Sequence, residues 1–275
     1  MITKKRRLIA VVLVKNGNVV QSKNFVEHKR VGSPFTIIDR LSRWNADEVI
    51  YLNIRPEISH QNRKDLNSEN MNNFLEIVGQ VSKRAFMPFV VGGGIRTFED
   101  VQKIFDLGAD KVSINTCLSK DTFFIEKSSK LYGSQSIVAS VDVKIMEDGK
   151  YFIFVNGGKE KINIDLKDYI KLIEDIGAGE ILINSINRDG SQSGYDIKLI
   201  NEISSYTKLP IIGLGGAGSW DDISAVFENT KIDAVAAANI FHFTENSYFE
   251  AIKYLNEKKC NLRPPILSDI TKVKL

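Results

Sequence analysis

Apolar runs and amphipathic stretches alternate along the chain from end to end. Leu8–Val14 is an unbroken apolar run rich in β-branched residues, followed by the turn Lys15-Asn16-Gly17-Asn18 and a short Val19-Val20 return. A run without polar alternation predicts a strand buried on both faces. Helical spacing then covers about 33–44, Val49–Leu52 is a second strand, and 67–83 aligns Met71, Phe74, Leu75, Val78 and Val81 on one helical face. Met87–Val91 and Lys111–Ile114 are further strands. The helix between them is capped by Thr97 with Asp100 three residues on, and closed by Gly108. A helix near 120–131 precedes the strand Ile137–Val143 and a hairpin through Asp148-Gly149 to Tyr151–Val155. The remainder reads helix 165–176, strand Glu180–Ile183, helix Ile197–Tyr206, strand Pro210–Leu214, a helix from Ser219, strand Ala234–Ala238 and helix 246–257.

Eight buried strands with helical crossovers predict an α/β fold with a parallel eight-stranded sheet. A length of 275 residues favours a closed (β/α)8 TIM barrel forming a single domain over 1–275. An internal repeat supports closure. MPFVVGGGIRTFEDVQKIFDLGADKVSIN matches LPIIGLGGAGSWDDISAVFENTKIDAVAAAN, and ADEVIYLNI matches AGEILINSI, so the chain divides into half-barrels at about 6–131 and 135–257. In the first match Gly93-Gly94 meets Gly215-Gly216, and Asn115 lies near Asn239.

Composition narrows the chemistry. With 43% hydrophobic residues and a net charge of +3, the chain has a large core and no basic surface suited to nucleic acid. The run Lys4-Lys5-Arg6-Arg7 leads straight into the first strand and reads as its solvated start. Two cysteines and three histidines, with no H-x-x-x-H pattern, form neither a disulfide framework nor a transition-metal site. No metal and no cofactor is expected. The N-terminus lacks the long apolar run of a signal peptide and no stretch reaches membrane length, so a soluble, cytoplasmic protein is expected.

A glycine triplet after a buried strand bares backbone N–H groups to a ligand. Two such turns in repeated positions, each followed one strand later by a polar terminus, predict two anion cradles across one barrel mouth. A ligand with a phosphate at each end suits them.

VGGGIRTFED, LGADKVSIN, YGSQSIVASVDVK, GAGEILINSINRDGSQSGYD, LGGAGS and IFHF resemble, in order and spacing, the cyclase subunit of imidazole glycerol phosphate synthase. The resemblance runs from Arg7 to about Leu255 and implies a (β/α)8 barrel that forms a heterodimer with a glutaminase subunit. Ammonia from the glutaminase passes along the barrel axis to a doubly phosphorylated ribulosyl substrate. By this resemblance Gly94, Asn115 and Thr116 match one phosphate site; Asp189, Gly190, Gly216, Ala238 and Asn239 match the other, where the family usually has serine at Asn239. Arg7, Glu48, Lys111 and Glu180 match a charged ring that gates ammonia at the barrel floor, and Asp110 and Gln135 match positions that contact the glutaminase. Each ring charge begins a strand. Even spacing puts Arg7 with Leu13, Lys111 with Asn115, and Glu180 with Asn184 on one strand face.

The family's acid–base chemistry uses two aspartates, one at the end of the first strand and one at the end of the fifth. Asp142 matches the second; Leu13 stands in place of the first. Asn53 and Asn187 occupy carboxylate positions and Leu214 replaces a small hydroxyl. An apolar residue at this aspartate position resembles a paralogous group tied to surface-polysaccharide or flagellar sugar modification. There the barrel and its glutaminase supply ammonia to a separate sugar amidotransferase that makes an acetamidino sugar. Three readings are open at this point: ammonia delivery for sugar amidination, a working cyclase of histidine biosynthesis, and a scaffold that activates the glutaminase.

Overall fold

The computed structural model describes residues 4–54, 74–242 and 244–266. The strands are β1 Arg7–Lys15, β2 Asn18–Lys23, β3 Glu27–Gly32, β4 Glu48–Asn53, β5 Phe89–Gly92, β6 Lys111–Ile114, β7 Ile137–Ile145, β8 Tyr151–Val155, β9 Glu160–Lys161, β10 Glu180–Ser185, β11 Ile211–Leu214 and β12 Ala234–Ala237. The helices are α1 Pro34–Arg43, α2 Phe74–Ser82, α3 Phe98–Asp106, α4 Phe123–Tyr132, α5 Leu166–Asp175, α6 Ile197–Ser204, α7 Trp220–Asn229 and α8 Ser247–Glu257. β1 pairs in parallel with β4, and pairing continues through β5, β6, β7, β10, β11 and β12 back to β1. The circle is closed, as the apolar runs predict: an eight-stranded parallel barrel covered by helices. Of the helix expected over 67–83, Phe74–Ser82 is helical, while residues 67–73, including Met71, lie outside the described residues.

The helices form where the sequence places caps and stripes. Thr97 accepts from Asp100 N while Asp100 reaches back, a capping box; Ser219 and Asp222 repeat it at α7. α5 buries Leu166, Tyr169, Ile170 and Ile173, the i, i+3, i+4, i+7 stripe of a helix lying on a sheet. Truncating Ile170, fully buried, to alanine removes packing worth about 2–5 kcal/mol.

Strand alternation divides the apolar residues into two clusters. Outward residues such as Leu8, Tyr51, Phe89 and Ile181 pack under the helices. Inward residues line the barrel axis: Ile9, Val11, Leu13, Ile50, Val90, Val138, Leu182, Ile212, Leu214, Ala234 and Ala236.

Two hairpins extend the barrel at its C-terminal rim. β2 and β3 follow β1, and β8 and β9 follow β7, all in antiparallel pairing. The second hairpin agrees with the sequence pattern. The first is longer than the Val19-Val20 return: β3, Glu27-His28-Lys29-Arg30-Val31-Gly32, is a polar strand with no buried residue, so it carries no hydrophobic signal. Among the described residues no helix is long and apolar enough to cross a membrane.

Candidate functional site

At the floor, Arg7, Glu48, Lys111 and Glu180 are the first residues of β1, β4, β6 and β10. Arg7 donates to the carboxylates of both Glu48 and Glu180. Lys111 Nζ donates to Glu48 Oε1 at 2.9 Å and to Glu180 Oε2 at 3.0 Å. Every cation therefore bridges both anions, and the ring has no net charge. The glutamates are almost fully buried, with side-chain exposures of 2% and 6%. Burial alone would lower the Arg7 guanidinium's pKa, but the Glu180 and Glu48 carboxylates outweigh it and raise it. The barrel makes room for Arg7 at Ala234, its register partner on β12. In the repeat Ala234 takes the place that Lys111 has in the first half, each being the first residue of its strand.

Just outside the ring, Asp110 accepts from Phe89 N at 2.8 Å. Asp47 does the same for Leu8 N at 2.9 Å, and Asp233 for Ile211 N at 3.2 Å. Asp110 thus has a structural duty shared by two repeats of itself, alongside its expected place at a partner contact. Gln135 is exposed at the same end and leans on Tyr132 O.

Above the ring the lumen is one-sided. Ser113 and Asn115 continue Lys111's inward row on β6, Ser140 and Asp142 share the inward row of β7, and Asn184 follows Glu180 on β10. The facing wall is Val11, Leu13, Leu52, Leu214 and the alanines of β12. Asp142 is 7% exposed and accepts from Asn115 Nδ2 at 3.1 Å. Burial pushes its carboxyl up to about 7, against the opposing hydrogen bonds from Asn184 and Asn115 and with a smaller push from Asp189. A carboxyl near neutrality can give or take a proton. Leu13 offers it no partner.

At the mouth, the first expected cradle spans two neighbouring strand ends and the second spans three, with Asp189 and Gly190 following β10. Gly94 follows β5, while Asn115 and Thr116 follow β6; Gly93 and Gly94 take φ of 94° and 80°. Gly216 follows β11, Ala238 and Asn239 follow β12, and Gly215 and Gly216 take φ of 101° and 110°. Ala238 is the counterpart of Asn115, since each directly follows its four-residue strand, and Asn239 is the next residue along.

The side chains of the second cradle are engaged by the first hairpin. Asp189 Oδ2 accepts from Ser22 Oγ at 2.6 Å and from Phe25 N at 3.0 Å. Asn239 Nδ2 donates to Ser22 O at 2.8 Å, and Asn239 Oδ1 accepts from Ser22 N at 3.3 Å. A Cβ on Gly190 would lie 2.3 Å from Ser22 O, so only glycine admits the hairpin this close. What the second cradle offers an anion is therefore backbone. In the first cradle Thr116 Oγ1 accepts from Asn156 N of the second hairpin at 3.1 Å.

These contacts are joined by comparison with known proteins. A model of the family described as histidine biosynthesis protein matches residues 7–247. The chain is 39% identical over 258 residues to the imidazole glycerol phosphate synthase subunit HisF of Natranaerobius thermophilus, covering 94% of this chain and 98% of the relative. It is 39% identical over 263 residues to the subunit of the same name from Alkaliphilus metalliredigens, covering 96% and 100%. The chain belongs to the HisF family.

Two of the departures expected from the resemblance, at Asn187 and Asn239, have a visible physical reason. Asn187, at a carboxylate position, accepts from Ile145 N at 2.9 Å and donates to Ile145 O at 3.2 Å. A carboxylate could not make the second bond, since it has no donor. Asn239, at a serine position, pairs with Ser22 in the same reciprocal way, which a hydroxyl is too short to do. Both amides act as one extra rung of sheet and fasten a rim hairpin to the neighbouring loop. Sequence reasoning missed this use of Ser22, Phe25, Asn156, Asn187 and Asn239, and it treated Asn184 only as a marker of strand face. Among the described residues no group of three or more His, Cys, Asp or Glu could hold a metal ion.

Proposed function

We propose that this chain is the ammonia-delivering barrel subunit of a glutamine-dependent amidotransferase system. A glutaminase partner docks at the floor, in a heterodimer, and ammonia crosses the Arg7–Glu48–Lys111–Glu180 ring and climbs the lumen to the mouth. The acceptor chemistry is amidination of a bacterial surface sugar by a separate amidotransferase. The observation that carries this choice is Leu13, buried in the apolar wall opposite Asp142. Cyclisation by paired acid and base needs a proton carrier on each side of the reacting atoms. Leucine has no such proton.

The ring suits delivery. Each carboxylate is held by two cations, so one cation can swing aside while the other keeps the carboxylate paired, which avoids the cost of a buried lone charge. The apolar wall beyond it lets a small neutral molecule pass and disfavours ions. A phosphorylated ligand at the mouth would be held by the Gly94–Asn115–Thr116 cradle, with backbone N–H groups near Gly216 and Gly190 as the second anchor.

The relatives' name favours a second reading: a cyclase subunit of imidazole glycerol phosphate synthase, acting with Asp142 alone. The two readings share the glutaminase, the ring and the lumen, and differ at the mouth.

The delivery reading is tested with glutamine carrying 15N in its amide, the glutaminase subunit, the sugar amidotransferase and an acetamido sugar. The label enters the acetamidino product. With Lys111→Ala glutamine is still hydrolysed, and the label escapes to the medium. Equal label transfer in wild type and Lys111→Ala would overturn delivery through the ring.

A further inference from the structure

Asn184 Oδ1 is a buried acceptor with no hydrogen-bond partner, on a residue only 9% exposed. Its side chain lies beside that of Asp142, its register partner on β7, and lowers that carboxyl's proton affinity. The free oxygen therefore lies beside a carboxyl, in the lumen, with no donor supplied by the fold. Leaving an acceptor unsatisfied in a buried site costs about 1–3 kcal/mol, so the arrangement calls for a ligand rich in N–H. Lower on the same side, Ser113 Oγ is also buried and unpartnered, midway between Lys111 and Asn115 on the inward row of β6. Opposite stand Leu13, Leu52 and Ala238, which offer neither donor nor competing charge. Leu214 is the register partner of Asn184 on the other side, so the wall turns apolar at once.

We propose that Asn184 Oδ1 and the Asp142 carboxylate form a terminal binding site for ammonium at the top of the lumen. This inference rests on the delivery reading and deepens it. Ammonia arrives neutral past Ser113 and takes the proton of the Asp142 carboxylic acid through its lone pair. One O–H bond breaks and one N–H bond forms, giving ammonium held by a carboxylate and an amide oxygen. Release reverses the transfer: the proton returns to Asp142 and neutral ammonia leaves for the acceptor. Proton and charge balance at each step without a further reactant. The carboxyl's position near neutrality suits this exchange. The ionisable groups that act on it electrostatically are Asp189 and, from α5, Tyr169. Asp142 thereby keeps an acid–base role that needs no second carboxylate at Leu13.

The test is a pH titration of the full chain with 13C-carboxyl aspartate, in ammonium chloride and in potassium chloride of equal ionic strength. Potassium matches ammonium in size and charge but donates no hydrogen bond. Ammonium lowers the proton affinity of Asp142 about tenfold more than potassium does, because it stabilises the ionised form directly. In Asn184→Leu, which copies Leu52 of the other half-barrel, the difference between the salts disappears. Equal midpoints in the two salts for the wild-type chain overturn the site, as does a difference that survives in Asn184→Leu. The wild-type comparison stands even if the variant does not fold. An ammonium effect without 15N transfer condemns the delivery reading, whereas 15N transfer without an ammonium effect condemns only the holding site.

Discussion

The two half-barrels carry the same strands, turns and caps, and they differ where their strands meet the lumen. Matched by the register of each strand on its neighbour, Ala10-Val11-Val12-Leu13-Val14-Lys15 on β1 aligns with Ala139-Ser140-Val141-Asp142-Val143-Lys144 on β7. Leu13 is thus the mirror of Asp142. On the next strand Leu52 mirrors Asn184, since Leu13 pairs with Leu52 and Asp142 pairs with Asn184 in equivalent registers. One half gives the mouth a leucine pair; the other gives it a carboxyl and an amide. On β6 and β12 the bias reverses, with Lys111, Ser113 and Asn115 against Ala234, Ala236 and Ala238. The polar residues therefore gather on adjoining strands β6, β7 and β10. A symmetric fold has become a lumen with one wet side and one dry side.

Breaking the floor has the largest expected effect. Glu48→Ala and Glu180→Ala come from different halves but sit in equivalent bonds, each leaving both cations half-paired. Each variant loses about 3–5 kcal/mol in chemical denaturation. A large inequality between them would show that the ring is not the symmetric bridge its hydrogen bonds describe.

Asp142 sets the next effect, and its mirror has none. Its carboxyl stands at about 7 in the fold against an ordinary value of 3.8, so the folded state binds the extra proton between those limits. Stability is full below the ordinary value and falls as pH rises through about 7. Asp142→Asn removes this slope and at pH 8 is more stable than wild type by on the order of 3 kcal/mol, read from denaturation midpoints across pH. Leu13→Asp places a like group opposite, and drives the Asp142 midpoint higher still.

The hairpin fasteners come third. Asn239→Ala frees the β2–β3 hairpin and Asn187→Ala the base of the β8 hairpin, each at about 1–2 kcal/mol of local stability. Amide hydrogen exchange rises in 18–32 for the first variant and near Ile145 for the second, with the barrel strands unchanged. The smallest effect probes where the halves agree. Thr97→Ala and Ser219→Ala each cost about 1 kcal/mol, because both open the same capping box.

Much of this was legible in the chain itself. The continuous apolar runs from Leu8 to Val235 specify buried parallel strands, and the charged strand starts mark the ring, because strand alternation carries a face along its length. β3 was invisible, since its side chains are polar and its place is set by backbone pairing with β2. The Asn239–Ser22 fastener joins residues 217 apart and has no local signature. Asn184 illustrates the remaining gap: its strand face can be read from spacing, but its unpartnered oxygen appears only once β7 and β11 flank it.

The claim that Leu13 has ended the cyclisation reaction is tested most directly by a steady-state assay. The purified chain is given excess ammonium and the bis-phosphorylated ribulosyl substrate, and imidazole glycerol phosphate is measured. No turnover above the uncatalysed rate is expected. Turnover within the range typical of enzymes, abolished by Asp142→Asn, would contradict it and make the chain a working cyclase.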